Sequence, residues 1–523
     1  MADTKKIRPG LILVLISIPI FVGALDLTVV SAVLPHVIVD LEIPLQTGLD
    51  DAAWMVTGYL LVYSISMTFM GRLSDLYGRR KIYLFALGIF AFGSYLVAVA
   101  HTWPTQWALR ISYMFVSGRL DVSYVTLYVL IASRMIQAFG AGTMVPVGMA
   151  LVGDIFPVGK RARYLGLIAA MDTAGWVVGH LYGGIIVRFW DWSMIFWLNI
   201  PICILAFVLI WHFLRHIPQE RSPGNMDWLG AVLIAIALTL LNIGLGNGSE
   251  DAFSDSSMGL PSNILPLVLT SVLFLFLFIV RQKRTRHPLI DISLFRKQNY
   301  FTASLVNFLV GFSLFVAIAN VPLFINSLIA RSLEQGAWDS GWMLSALTVP
   351  MAVASIPGGW LSDRYGYRLP TIMGLVLAVF GFVLMSTWSV ETPYGIMAFH
   401  LIFGGIGIGL TMAPVAAAVV NTSPPDQHGT SSALVIIFRL IGMTVGVSSI
   451  TTYDLLRVDA LSETLLSSAP TLNETIRVGM EVTEKVIGET FLIAGFVAIM
   501  ALIPALRLRN QIQTSEVKNE RSG

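Results

Sequence analysis

Four charged residues stand inside long uncharged stretches of the chain. Asp26 lies in LDLTVVSAVLP (Leu25–Pro35), Arg134 in SRMIQAFGAG (Ser133–Gly142), and Asp172 and Arg439 in two further apolar runs. An isolated carboxylate in an apolar medium costs several kcal/mol unless it is paired, wetted or protonated. Desolvation also favours the protonated form of a carboxylic acid. A group of this kind can take a proton from one side of a membrane and give it to the other. Asp26 is therefore read as a proton or substrate site, with a helix-packing hydrogen bond as the alternative. A buried guanidinium needs an acid, backbone carbonyls or water. Arg134 with Asp26 would form a pair that protonation of the acid breaks; otherwise it is a fixed anchor. Asp172 is read as a second proton or cation site or as the partner of an arginine. Arg439 is read as a packing or capping residue.

Two other patterns carry physical meaning. GWVVGHLYGG (Gly175–Gly184) sets Gly175, Gly179 and Gly183 on one helical face, with Gly184 following. That spacing allows close helix approach, and His180 within it titrates near neutral pH. The loop GRLSDLYGRR (Gly71–Arg80) returns as GWLSDRYGYR (Gly359–Arg368). Each copy lies between two apolar runs, which marks a duplicated half. Gly71, Gly78, Gly359 and Gly366 permit tight turns. Asp75 and Asp363 can bond helix N-termini or cations across the halves. Arg79, Arg80, Arg364 and Arg368 can pair with those acids or with lipid phosphates. The expectation is a breakable latch.

The elements that position these residues are membrane helices. Of 523 residues, 56% are hydrophobic and 12% charged, about half the charge of a soluble domain. A bilayer core takes roughly 20 apolar residues per helix. Fourteen spans are expected, at about 11–35, 53–70, 82–101, 126–152, 164–187, 193–214, 227–247, 262–280, 301–325, 340–360, 370–389, 394–419, 430–452 and 489–507. With this topology 24 of the 33 Lys+Arg lie on the side of the termini, so both termini and both repeated loops are expected in the cytoplasm. The predicted organisation has a first six-helix half at 1–214 and two extra helices in a linker at 215–297. A second six-helix half follows at 298–510, with a cytoplasmic tail at 511–523. Loops on the far side are expected at about 103–125 and 453–488, as surface flaps or as a docking site or vestibule.

Several classes are set aside. Net charge is +2, which argues against nucleic acid as a partner. A single cysteine, Cys203, excludes an intrachain disulfide and a cysteine metal cluster. GDIFPVGKR (Gly153–Arg161) is one residue too long for a nucleotide loop, with Arg161 where a Ser or Thr must stand. No catalytic constellation or cofactor site is expected, which leaves an ion gradient as the energy source.

GRLSDLYGRRK, LDLTVVSAVLPHVIVDL, WMVTGYLL (Trp54–Leu61), SRMIQAFGAG, FWLNIPI (Phe196–Ile202) and VPLFIN (Val321–Asn326) together resemble the major facilitator superfamily. Within it the chain looks like the fourteen-helix drug:proton antiporters of the EmrB/QacA type. The resemblance implies two six-helix halves related by an axis along the membrane normal, two extra central helices and alternating access. It implies coupling through Arg134, with Asp26 as the protonation site, and residence in a prokaryotic plasma (inner) membrane. The helix-5 antiporter motif departs from the family, with Gly179-His180 in place of Gly-Pro. The leading expectation is proton-coupled export of hydrophobic, cationic drugs; the alternative is export of an endogenous lipid, siderophore or metabolite. A receptor or scaffold that kept the fold is a third reading, which Asp26 and Arg134 argue against. The sequence leaves open whether a periplasmic adaptor protein completes the path.

Overall fold

The computed structural model describes residues 9–43, 45–115, 120–215, 221, 224–254, 264–466 and 472–510. They form α-helices only, apart from short 3₁₀ and π segments. In order these are α1 (Pro9–Asp40), α2 (Leu45–Tyr77), α3 (Arg79–Ala98), α4 (Trp103–Ser112), α5 (Val122–Ile155), α6 (Arg161–Phe189) and α7 (Met194–Leu214). Then come α8 (Trp228–Ser254) and α9 (Ile264–Arg284). The remainder are α10 (Gln298–Phe324), α11 (Leu333–Tyr365), α12 (Arg368–Met385), α13 (Tyr394–Thr422), α14 (His428–Leu466) and α15 (Leu472–Leu506).

Every expected span coincides with a helix. Among the described residues, twelve helices are long and apolar enough to cross a membrane. Helices α6 and α8 are not among the twelve. Among the described residues, α8 shows a shorter apolar stretch, Trp228–Leu241.

The halves pack alike. Helix α1 lies on α6 as α10 lies on α14; α3 lies on α5 as α12 lies on α13; α3 lies on α7 as α12 lies on α15. Between the halves, α2 meets α14 and α6 meets α11. Helices α8 and α9 pair, and α8 also touches α2 and α14. One large buried cluster runs through both halves, and a second fills the far end of the first half around Val29, Val33, Leu127 and Phe196.

Two expected loops are helical instead. Residues Trp103–Ser112 form α4, which buries Thr105 and leaves Trp103, Trp107 and Ile111 exposed. A helix that turns its aromatic face outward is suited to an apolar surrounding rather than to water. The segment 453–488 is largely the continuation of α14, which runs to Leu466, and the start of α15 at Leu472. At 39 residues, α14 spans about 58 Å, well beyond a hydrocarbon core of about 30 Å.

Candidate functional site

Asp26 sits near the middle of α1 and is fully buried, as is Arg134 on α5. The two form an ion pair through Arg134 Nη1 and Asp26 Oδ2. Arg134 Nη2 also donates to the Asp26 carbonyl at 3.1 Å. Gln137, one turn beyond Arg134, donates to Asp26 Oδ1 at 3.0 Å and to Ser94 Oγ of α3 at 2.7 Å, and accepts from Arg134 at 2.7 Å. Asn199 of α7 donates to Asp26 Oδ1 at 3.0 Å. The guanidinium lies 4.1 Å from the ring centroid of Tyr59, whose hydroxyl donates to the Gly23 carbonyl at 3.3 Å. Five helices of the first half thus converge on one carboxylate. Each Asp26 oxygen is satisfied, which lets the charge exist without water.

The second acid pairs differently. Asp172 on α6 meets Arg439 on α14 at 3.5 Å, so this pair joins the two halves. Arg439 also lies 3.8 Å from Met412 Sδ. Asp172 and Arg439 stand eleven residues beyond Arg161 and His428, the first residues of α6 and α14. Equivalent positions of the two repeats therefore face each other. Asp172 Oδ1 is buried and has no hydrogen-bond partner among the described residues.

The repeated loops occupy equivalent places at the terminus end. Asp75 accepts from the Gly429 and Thr430 amides at 2.8 and 2.9 Å and from Thr430 Oγ1 at 2.9 Å, capping α14. Asp363 accepts from the Ala162 and Arg163 amides at 3.1 and 3.2 Å and from Arg163 Nε at 3.1 Å, capping α6. Each carboxylate sits at the positive end of a helix from the opposite half. Gly71 and Gly359 let the helices touch. A β-carbon at Gly71 would come 2.6 Å from the Gly429 carbonyl, and one at Gly359 would strike the Ala162 carbonyl. Gly78 (φ 100°) and Gly366 (φ 81°) turn the chain in the left-handed region that favours glycine.

Arg79 bonds Asp75 at 3.2 Å and pairs with Asp154, which faces His428 at 3.4 Å. The matching place in the second loop holds Tyr367. Its hydroxyl accepts from Asn421 at 2.8 Å, and Asn421 accepts from Arg161 at 3.1 Å. Burial raises the Tyr367 phenol above its ordinary range and lowers the Arg161 guanidinium. The tyrosine therefore stays neutral. Arg80 stacks on Trp211 at 5.4 Å, and Arg364 on Trp360 at 5.6 Å. The Arg368 amide donates to Asn510 at 3.3 Å.

Of the helix-5 glycines, Gly175 and Gly179 press against α1 at Phe21, Leu25 and Thr28. Gly183 is buried, whereas Gly184 faces open space. The His180 side chain lies outside the described residues. Arg439, expected to pack or cap, instead forms the ion pair with Asp172. Sequence reasoning missed Gln137, Asn199, Asp154, His428 and Asn421. Gln137 was visible three residues beyond Arg134 on the same helical face, and the last three from aligning the repeats past their loops.

A helical bundle of two like halves, with a buried acid–base pair inside one half and another across the seam, defines a membrane transporter. The model of the Major Facilitator Superfamily matches residues 16–447, and the chain belongs to that superfamily. It is similar to a triacylglyceride transporter of Mycolicibacterium hassiacum, 30% identical over 86% of this chain and 80% of that one. A triacylglyceride transporter of Mycobacterium tuberculosis is 29% identical over 94% and 92%. These relatives do not place the chain in the drug:proton branch. Among solved structures, the proton:xylose symporter XylE superposes with a TM-score of 0.59 at 14% identity, covering 94% of both chains. A human organic anion transporter gives 0.60 at 14%, covering 94% of this chain and 100% of that one. At such identities the likeness concerns the fold.

Proposed function

We propose that this protein exports a neutral or weakly polar lipid, of the triacylglyceride class for which its relatives are named, by exchange against protons. The sealed carboxylate of Asp26 carries the proton half of this reading. Protonation of Asp26 releases Arg134, and deprotonation re-forms the pair. The names of relatives that match most of the chain support a lipid cargo over the cationic drug expected from the sequence. The arrangement described corresponds to the outward-facing state, in which the Asp75 and Asp363 caps hold the terminus side shut. In this reading fourteen helices cross a plasma membrane, α6 and α8 included, and both termini are cytoplasmic. Asp172–Arg439 then separates as the halves rock to the other state.

Export of a lipophilic cation is the second reading, because the unpartnered oxygen of Asp172 could receive one. Proteoliposomes loaded with either a fluorescent triacylglyceride analogue or a fluorescent lipophilic cation, under one imposed pH gradient, separate the two. Lipid movement without cation movement is expected. Cation movement alone overturns the lipid reading.

A further inference from the structure

Two arginines of the terminus end stand over a cleft between the helices that open and close the second half. Arg296, just before α10, and Arg507, just after α15, flank a cleft of about 290 Å³. Both are exposed, and neither guanidinium has a hydrogen-bond or ion-pair partner among the described residues. Asp291, the acid nearest to Arg296 in sequence, already caps the Ser293 amide at 2.9 Å. Below the two arginines the cleft is apolar, lined by Phe301 and Leu305 of α10 and by Ile503 and Pro504 of α15. Phe301 and Ile503 are 51% and 59% exposed, so the slot opens sideways, where acyl chains lie. Gln298, also on the lining, donates to the Arg507 carbonyl at 2.8 Å. Asn299 exchanges hydrogen bonds with the Arg509 carbonyl and amide at 2.9 and 2.8 Å. These bonds fix the end of α15 beside the start of α10, so the gap between the arginines is set by backbone.

We infer that this cleft is a binding site for an anionic phospholipid of the inner leaflet, distinct from the cargo path. Guanidinium groups bind phosphate oxygens with charge-assisted hydrogen bonds, and basic pockets between helices at the cytoplasmic boundary suit anionic headgroups. The apolar side opening favours a lipid over a free anion. Both helices pack within the second half, away from the seam through which cargo passes. A bound phospholipid would staple α10 to α15. The assignment to the inner leaflet rests on the proposed cytoplasmic termini.

The test follows thermal unfolding of the purified full chain in a neutral detergent. Phosphatidylglycerol, phosphatidylcholine and inorganic phosphate are added in separate titrations. Micelles have no sides, so the result is independent of topology and of transport. Phosphatidylglycerol should raise the melting temperature saturably, and phosphatidylcholine and phosphate should not. Arg296→Gln and Arg507→Gln should each weaken the apparent affinity roughly five-fold. Lys283→Gln with Arg284→Gln, which removes two charges at the end of α9, should leave it unchanged. Leu305→Trp, which fills the slot and keeps both guanidiniums, should abolish the response. The proposal is overturned if the arginine variants respond like wild type or if phosphatidylcholine acts equally. A response to inorganic phosphate as strong as to the lipid would reduce the cleft to a free-anion site.

Discussion

Two acid–arginine pairs lie at the heart of this molecule, and they are built for different tasks. Asp26–Arg134 belongs to one half, is fully buried, and has Gln137 and Asn199 completing the carboxylate's hydrogen bonds. Asp172–Arg439 belongs to both halves, is longer at 3.5 Å, and leaves one carboxylate oxygen without a partner among the described residues. A rigid-body rocking of the halves leaves the first geometry intact but must stretch the second. On the proposed function, the first pair would respond to a proton, whereas the second would respond to domain motion and to whatever enters between the halves. The repeated loops show the same division on a smaller scale. The first loop holds the Arg79–Asp154 ion pair beside His428, and the second sets Tyr367, Asn421 and Arg161 in a mostly neutral chain.

Removing one member of each pair exposes the difference. Arg134→Ala leaves a carboxylate buried among apolar helices and should destabilise the protein by about 3–5 kcal/mol, read as a large fall in melting temperature in detergent. Arg134→Lys should recover only part of this, since an ammonium cannot reproduce the guanidinium's directed contacts to Asp26, Gln137 and the Asp26 carbonyl. Arg439→Ala should cost less, about 1–3 kcal/mol, because it leaves a carboxylate that already tolerates one unpartnered oxygen. Its main effect should be on the balance of states, followed by spin-label distances across the α6–α11 seam. Equal stability losses for the two alanine variants would erase the distinction.

The caps come next. Asp75→Ala and Asp363→Ala should each cost about 0.5–2 kcal/mol. Asp75 should stand at the upper end, because its carboxylate is fully buried and also holds Arg79. Accessibility of engineered cysteines at the terminus end, in a Cys203→Ser background, would report the loosened seam. Tyr367→Phe should have the smallest effect, about 1 kcal/mol or less. Because burial keeps this phenol neutral, the effect should not change between neutral and mildly alkaline pH. A pH-dependent loss would show that the second loop is as charged as the first.

The sequence made much of this legible. An acid or an arginine inside an uncharged run announces itself, so Asp26, Arg134, Asp172 and Arg439 were all visible. The repeated loop revealed the two halves and the glycines that turn and touch. Partners were harder to see, because neutral amides such as Gln137 and Asn199 carry no signal of burial, and Ser94 is an ordinary serine until α3 is placed. The pairing of Asp172 with Arg439 was recoverable from their equal distance past the starts of α6 and α14, once the repeats are aligned beyond the loops. Segments 103–125 and 453–488 read as loops on the far side, the second with a helical rhythm, because polar residues break their apolar runs; helix α4 covers Trp103–Ser112, and α14 and α15 reach to Leu466 and from Leu472. Cargo left no residue-level mark, since lipids and lipophilic cations both suit an apolar path.

On the proposed function Asp26 carries the proton. The decisive measurement is gradient-driven movement of a fluorescent triacylglyceride analogue in proteoliposomes, with Asp26→Asn and Asp172→Asn beside wild type. Asparagine keeps the shape and two of the hydrogen-bonding roles of Asp26 but cannot exchange a proton. Asp26→Asn should abolish the dependence of lipid movement on the pH gradient while the protein stays folded. Asp172→Asn should slow transport yet keep that dependence. If Asp26→Asn still responds to the gradient and Asp172→Asn does not, the proton travels through the pair between the halves, and the assignment made here is wrong.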